Sequence, residues 1–251
     1  MTEVIYLKQM VRNVEGGKDM KEFAVVIPAF RPMKKFPSYI KQLLQENVPH
    51  IIVINDGSEK EYDNIFSQIE SLKGCTVITH QLNSGKGAAL KTGFTYFLKH
   101  FSYLNGIVTA DADGQHATKD VLEVGEHLDT LEDGFVLGSR VFKKKHMPLR
   151  SWIGNRFTSL VFKLFFGKFI RDTQTGLRGI TTKELDWVTQ LSGDHFDYEM
   201  NMLINMVRKK KRIIRVDIAA LYEEDHTSHF ETYKDAKLIA RAILSHYFKI
   251  V

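Results

Sequence analysis

Short apolar runs rich in β-branched residues alternate along this chain with longer stretches of helical periodicity, and each run stops at turn-forming or acidic residues. Residues 23–27 end at Pro28 and give way to a helical pattern through Ile40, Leu43 and Leu44. Residues 50–54 run into Asn55-Asp56-Gly57-Ser58, and residues 76–79 lead to Asn83-Ser84-Gly85-Lys86-Gly87 and a helical stretch over 88–100. Residues 106–110 end in Asp111-Ala112-Asp113, and residues 135–137 in Gly138-Ser139-Arg140. Strands linked by crossover helices lie parallel, with the helices covering both faces. The expectation is therefore an α/β protein with a central, mostly parallel sheet flanked by helices. Ligands of such sheets bind just beyond the strand C-termini, which is where the polar residues recur here.

Composition narrows the chemistry. The 251 residues are 43% apolar and carry 35 Lys plus Arg against 30 Asp plus Glu, a net charge of +5. That is enough to bury a core in one domain with appendages, and it excludes a chain disordered throughout. The single cysteine, Cys75, excludes an intrachain disulfide and a Cys₄ or Cys₂His₂ zinc site. The ten histidines include no His-Glu-X-X-His spacing, and there is no Gly-X-Ser-X-Gly elbow, so zinc-protease and serine-nucleophile chemistry lack support. Residues 1–21 do not read as a signal peptide, and no window reaches the roughly 18 apolar residues of a membrane span. A cytoplasmic location follows.

From residue 141 to 171 there are eight Lys or Arg and no acid, interleaved with Trp152, Phe157, Phe162, Phe165, Phe166 and Phe169. Such a basic, aromatic segment suits the surface of an anionic membrane, and no nucleic-acid motif accompanies it. Residues 194–208 read as a helix, 213–219 as a strand and 233–247 as a helix with Ala236, Ile239, Ala240, Ile243, Leu244 and Tyr247 on one face. The resulting division is an extension at 1–21, a domain at 22–232 and a C-terminal amphipathic helix at 233–251.

The strongest chemical signal is Asp111-Ala-Asp113-Gly-Gln115. In an extended segment, alternate side chains project the same way, so Asp111, Asp113 and Gln115 can aim oxygens at one hard cation, Mg²⁺ or Mn²⁺. The plainer alternative is an acidic turn after a strand. Asp56 can accept hydrogen bonds from a base or ribose, or cap a helix. Ile27-Pro28-Ala29-Phe30 can wall the same nucleotide. The segment 83–87 is not a Walker A loop, because His80 and Gly87 stand where Gly and Ser or Thr are needed. Its glycines at a helix start can still hold an anion with help from Lys86, or simply make a tight turn. Arg140, Arg150, Arg156 and Arg171 are permanent cations suited to phosphate.

In order, Val26-Ile-Pro-Ala-Phe30, Val53-Ile-Asn-Asp-Gly-Ser58, Asn83-Ser-Gly-Lys-Gly87, Asp111-Ala-Asp-Gly-Gln-His116, Leu137-Gly-Ser-Arg140 and Arg171-Asp-Thr-Gln-Thr-Gly176 resemble the family 2 glycosyltransferases of GT-A fold, over about residues 23–238. The branch they resemble is that of the dolichyl- or polyprenyl-phosphate sugar synthases. The resemblance implies transfer of one sugar from a nucleotide-sugar, UDP-linked in preference to GDP-linked, to a polyprenyl phosphate with inversion. It implies Pro28, Ala29, Asp56 and Lys86 around the donor, with Asp111 on ribose or metal and Asp113 and Gln115 on the cation. Arg140 and Arg150 match arginines facing the acceptor phosphate. Asp172 and Thr175-Gly176 fall where the family has its Asp and Ser-Gly before the next strand, and Ser228-His229-Phe230 resembles a segment whose basic residue lies near the donor phosphates. A peripheral position on the inner face of the cell membrane follows, with an oligomer or a membrane-bound protein as further partners.

Two departures stand out: Phe30 is followed by Arg31-Pro32 where relatives have Asn-Glu or Asn-Asp, and no C-terminal transmembrane helix is in the sequence. The rival readings are a transferase acting on a glycan, teichoic-acid or protein hydroxyl, with Asp194, Asp197 or Glu199 as base, and a nucleotide-sugar-binding module without turnover.

Overall fold

The computed structural model describes residues 21–141 and 149–219, the side chains of 149–154, 157 and 161 excepted. The proposed C-terminal helix at 233–251, residues 1–20 and His229 lie outside the described residues.

Among these residues seven strands form one sheet: β1 (Phe23–Ala29), β2 (His50–Asn55), β3 (Cys75–Thr79), β4 (Gly106–Thr109), β5 (Phe135–Arg140), β6 (Arg178–Thr181) and β7 (Ile213–Ile218). Their order is β3-β2-β1-β4-β6-β5-β7. β6 runs antiparallel to β4 and to β5, and every other pairing is parallel. The helices are α1 (Phe36–Gln45), α2 (Asp63–Glu70), α3 (Lys86–His100), α4 (Thr118–Asp129), α5 (Leu149–Phe166), α6 (Thr182–Thr189) and α7 (Asp197–Arg208). The expected mostly parallel α/β sheet is thus the observed one.

β1 explains why the strands read as unbroken apolar runs. Phe23 to Ile27 are wholly buried, with Phe23, Val25 and Ile27 facing one core and Ala24 and Val26 the other. A strand covered on both faces has no polar positions to alternate with. One core lies under α1, α2 and α4, and the other under α3, α5, α6 and α7. Gly125 lets α4 lie directly on the sheet, because a methyl there would overlap the Phe23 ring.

Candidate active site

β1 has β2 and β3 on one side and β4 on the other, so the strand order reverses at its edge, and the crevice beyond such a reversal is the usual ligand site of an open α/β sheet. The C-terminal ends of β1, β2 and β4 deliver Ala29, Asp56 and Asp111 to it. Pro28 lies past the last position paired with β4, Val26 opposite Thr109, so it interrupts no hydrogen bond of that ladder. The Ala29 carbonyl accepts the Asp56 amide at 2.9 Å and locks the ends of β1 and β2 together.

Asp56 is buried, and it does more than line the crevice. Its carboxylate accepts the Ser84 amide at 2.9 Å and the Gly85 amide at 2.8 Å, and meets His80 Nδ1 at 2.7 Å. The amides at the start of α3 thus bind an internal anion, the Asp56 carboxylate. The other ring nitrogen of His80 meets Thr92 Oγ1 at 2.9 Å. Gly85 has φ +97°, and a side chain there would enter Asp194 and His195. The glycines of the 83–87 loop are accounted for by this close packing.

The Asp111–Gln115 segment differs from the expectation. β4 stops at Thr109, and the chain turns instead of staying extended, so simple alternation does not align the three side chains. The cause is local: Gly114 takes φ +77°, and Asp113 Oδ1 accepts the Gln115 amide at 3.0 Å, closing an Asx turn. Asp111 sits at the entrance to that turn. Its Oδ1 is 2.7 Å from Lys86 Nζ, and its Oδ2 is 3.2 Å from His116 Nε2. Burial works to raise the Asp111 carboxyl, but the Lys86 ammonium and the His116 ring outweigh it and hold the group far below the ordinary carboxylate range. Lys86 is also 3.0 Å from Glu199 Oε2, and against the opposing effect of burial the two carboxylates raise its ammonium above the ordinary lysine value.

Among the described residues no three His, Cys, Asp or Glu side chains form a group that could hold a metal ion. The described residues therefore build no closed structural metal centre. The donor set instead fits an open site for a hard cation. Mg²⁺-type ions bound with a diphosphate need only one or two protein carboxylates, and Asp111, Asp113 and Gln115 carry oxygens of the kind such an ion takes.

Across the crevice, Arg140 at the end of β5 is gripped by Asp172. Arg140 Nε donates to Oδ2 at 2.7 Å and an η nitrogen to Oδ1 at 3.0 Å, a two-point contact that fixes the guanidinium plane. Thr109 Oγ1 donates to the Gly176 carbonyl at 2.7 Å, and a side chain at Gly176 would collide with the Asp111 carboxylate. The 172–176 loop therefore abuts both Arg140 and Asp111. Arg150 lies in the first turn of α5, and its side chain is outside the described residues.

Sequence reasoning did not assign Arg178, His80 or Tyr39 to the site. Arg178 is buried, donating to the Thr175 carbonyl at 3.0 Å and to the Glu199 carbonyl at 2.8 Å, and so ties the 172–176 loop to α7. The Tyr39 hydroxyl is buried with no hydrogen-bond partner among the described residues, and burial together with Asp111, Asp113 and Asp120 pushes its pKa well above that of an ordinary phenol. His80 was findable, since it follows β3 as Asp56 follows β2. Burial pushes the Cys75 thiol up to about 11.

The fold and these motifs have known relatives. An uncharacterised protein of Methanocaldococcus jannaschii is 33% identical over 226 residues, 88% of this chain and 89% of that protein. The UDP-N-acetylglucosamine–dolichyl-phosphate N-acetylglucosaminyltransferase of Methanococcus voltae is 29% identical over 219 residues, 80% of this chain and 86% of that one. Among solved structures, glucosyl-3-phosphoglycerate synthase of Mycobacterium tuberculosis, in complex with Mn²⁺, UDP and phosphoglyceric acid, superposes with TM-score 0.66 at 15% identity, covering 90% of this chain and 78% of that one. Mannosyl-3-phosphoglycerate synthase of Rubrobacter xylanophilus gives 0.68 at 15% identity, covering 91% and 74%. These structures share the GT-A fold. The family model for Glycosyl transferase family 2 matches residues 24–184, the segment that carries Asp56, Lys86, Asp111, Asp113 and Arg140, and the chain belongs to that family of glycosyltransferases.

Proposed function

We propose that this glycosyltransferase moves a hexose or N-acetylhexosamine from a nucleotide-sugar, UDP-linked in preference to GDP-linked, to a polyprenyl phosphate, with inversion and with Mg²⁺ or Mn²⁺. The observation that carries the reading is the Asp172-clamped Arg140 at the same end of the sheet as Asp111 and Asp113. An oriented, permanent cation suits an anionic acceptor. A phosphate monoester is largely dianionic near pH 7 and attacks without a dedicated base. The carboxylates that a hydroxyl acceptor would need are otherwise engaged. Asp194 is 2.6 Å from Lys91 Nζ, Asp197 accepts the His195 amide, and Glu199 meets Lys86.

In this reading Pro28, Ala29 and Asp56 hold the nucleoside, Lys86 and His229 stand near the donor phosphates, and Arg140 and Arg150 face the acceptor phosphate. A phosphate oxygen attacks the anomeric carbon from the face opposite the leaving group. The carbon–oxygen bond to the nucleotide breaks, and its electron pair leaves with the diphosphate. Asp113 and Gln115, with Asp111, would hold the cation, which would supply charge stabilisation to that diphosphate. The protein's share is orientation of the two phosphates and exclusion of water between them.

The Methanococcus voltae relative, named for a UDP-sugar and dolichyl phosphate, supports the donor and acceptor classes. Leu160, Leu164 and Phe169 are exposed beside the equally exposed Arg156, Lys163 and Lys168, the pattern of a face that rests on anionic lipid. No described helix is long and apolar enough to cross a membrane. Peripheral attachment to the inner face of the cell membrane accords with both.

The test is nucleotide diphosphate release from UDP- and GDP-sugars with Mn²⁺ or Mg²⁺, with and without a short polyprenyl phosphate. The expected result is UDP release that requires the lipid phosphate and stops with EDTA. Donor binding without lipid-dependent turnover would overturn the acceptor assignment in favour of a hydroxyl acceptor or a non-catalytic module.

A further inference from the structure

Lys86 sits where a cation would be wanted. Its Nζ lies 2.7 Å from Asp111 Oδ1 and 3.0 Å from Glu199 Oε2, with the side chain only 16% exposed. The second Asp111 oxygen is turned to His116. A divalent ion approaching Asp111 therefore meets an oxygen already paired with an ammonium, and a like charge a few ångströms away in a partly buried site is repelled strongly.

Glu199 is placed to relieve that conflict. It is fixed in the first turn of α7, where its carbonyl accepts Arg178 and its other carboxylate oxygen lies 3.9 Å from the Arg178 guanidinium. The Phe196 ring, one turn earlier on the same side, is 5.6 Å from Lys86 Nζ and offers the ammonium a π face. Lysine is a compact point charge on a flexible stem, so its head can shift between two carboxylates with little rearrangement.

We propose that the Lys86 ammonium and the divalent cation compete for Asp111, and that Glu199 is a positioning residue, the second seat that keeps the ammonium when the cation takes Asp111. This rests on the metal assignment made above. The ammonium keeps the Asp111 and Glu199 charges compensated before any donor is bound. It also makes the cation bind weakly alone and tightly with a nucleotide diphosphate, whose own oxygens add to its ligands.

The experiment is a Mn²⁺ titration of the whole chain followed by the EPR signal of free Mn²⁺, without nucleotide and then with UDP, with melting curves to confirm folding. Lys86→Met is expected to tighten Mn²⁺ binding without nucleotide by at least about fivefold, the lower end of ordinary site-to-site couplings. Glu199→Gln is expected to weaken it, because the ammonium is left with Asp111 as its one carboxylate. The double variant, which removes one charge of each sign and so keeps the test alive if Lys86→Met does not fold, is expected to follow Lys86→Met. Affinity unchanged or weaker in both variants lacking Lys86 would overturn the competition while leaving the metal assignment standing. No Mn²⁺ binding by the natural chain, with UDP or without, would overturn the metal assignment and the competition together.

Discussion

Asp113 owes its position to a neighbour that has no side chain. Gly114 takes a backbone conformation that other residues adopt at some strain, and the turn it permits folds the Asp113 carboxylate over the Gln115 amide at the mouth of the crevice. The carboxylate lies outside both apolar cores. Asp113→Ala is therefore expected to lower nucleotide diphosphate release by about 10²–10³-fold, the scale of losing one electrostatic contact to developing charge. The melting temperature is expected to stay within a few degrees of the natural chain's; a large fall in melting temperature would show that the residue acts on the fold instead. Asp56 differs in kind, since its carboxylate holds two backbone amides and a histidine ring in addition to any ligand.

At the level of elements, one tight constraint is the start of α3 against Asp194 and the first turn of α7. A side-chain carbon at Gly87 would stand 2.6 Å from Tyr198 Cβ and 2.9 Å from the Asp194 carbonyl carbon, and neither neighbour has a flexible end that can swing away. Gly87→Ala is expected to destabilise the protein by about 1–3 kcal/mol, the usual range for overpacking, as measured by urea unfolding. The same packing shows what the sequence made legible and what it hid. Strands β1, β2, β4 and β5 were readable because burial on both faces turns them into apolar runs bounded by turn residues, and β3 and β7, less covered at the sheet edges, through their β-branched residues. β6 was not read from its own residues: it is four residues long and opens with Arg178, whose charge suggests a surface position although its guanidinium is buried against backbone carbonyls. Asp56, Asp111, Asp113 and Arg140 were legible as candidates because each follows a strand. The link from Asp111 through Lys86 to Glu199 was not, since it joins β4, α3 and α7 through contacts that no local pattern encodes.

For the molecule as a whole, that linked charge cluster makes stability depend on pH. Asp111 is held below its ordinary value of 3.8, so its contribution is fully present above about pH 5 and is lost as the pH falls through the lowered value. Lys86 is raised above 10.5, so its contribution is complete through neutral pH and is lost only in strong alkali. The natural chain is thus expected to lose more stability between pH 7 and pH 3 than Asp111→Asn does, by about 1 kcal/mol, in urea unfolding at each pH, with the rest lost below pH 3. Equal losses would show that Asp111 is not held ionised by its neighbours.

The reversed direction of β6 has a consequence for how the enzyme can change. Because β6 runs against β4 and β5, it begins where they end, and the six residues before it arrive at the crevice directly, with no crossover helix between them and the ligand side. Asp172, Thr175 and Gly176 therefore sit on one short segment between α5 and β6, held at the crevice by Arg140, Arg178 and Thr109. Replacing that segment can alter what faces Arg140 while β1, β2 and the loops that follow them keep their register. On the proposed reading, acceptor preference and donor preference can in this way diverge separately within a single sheet.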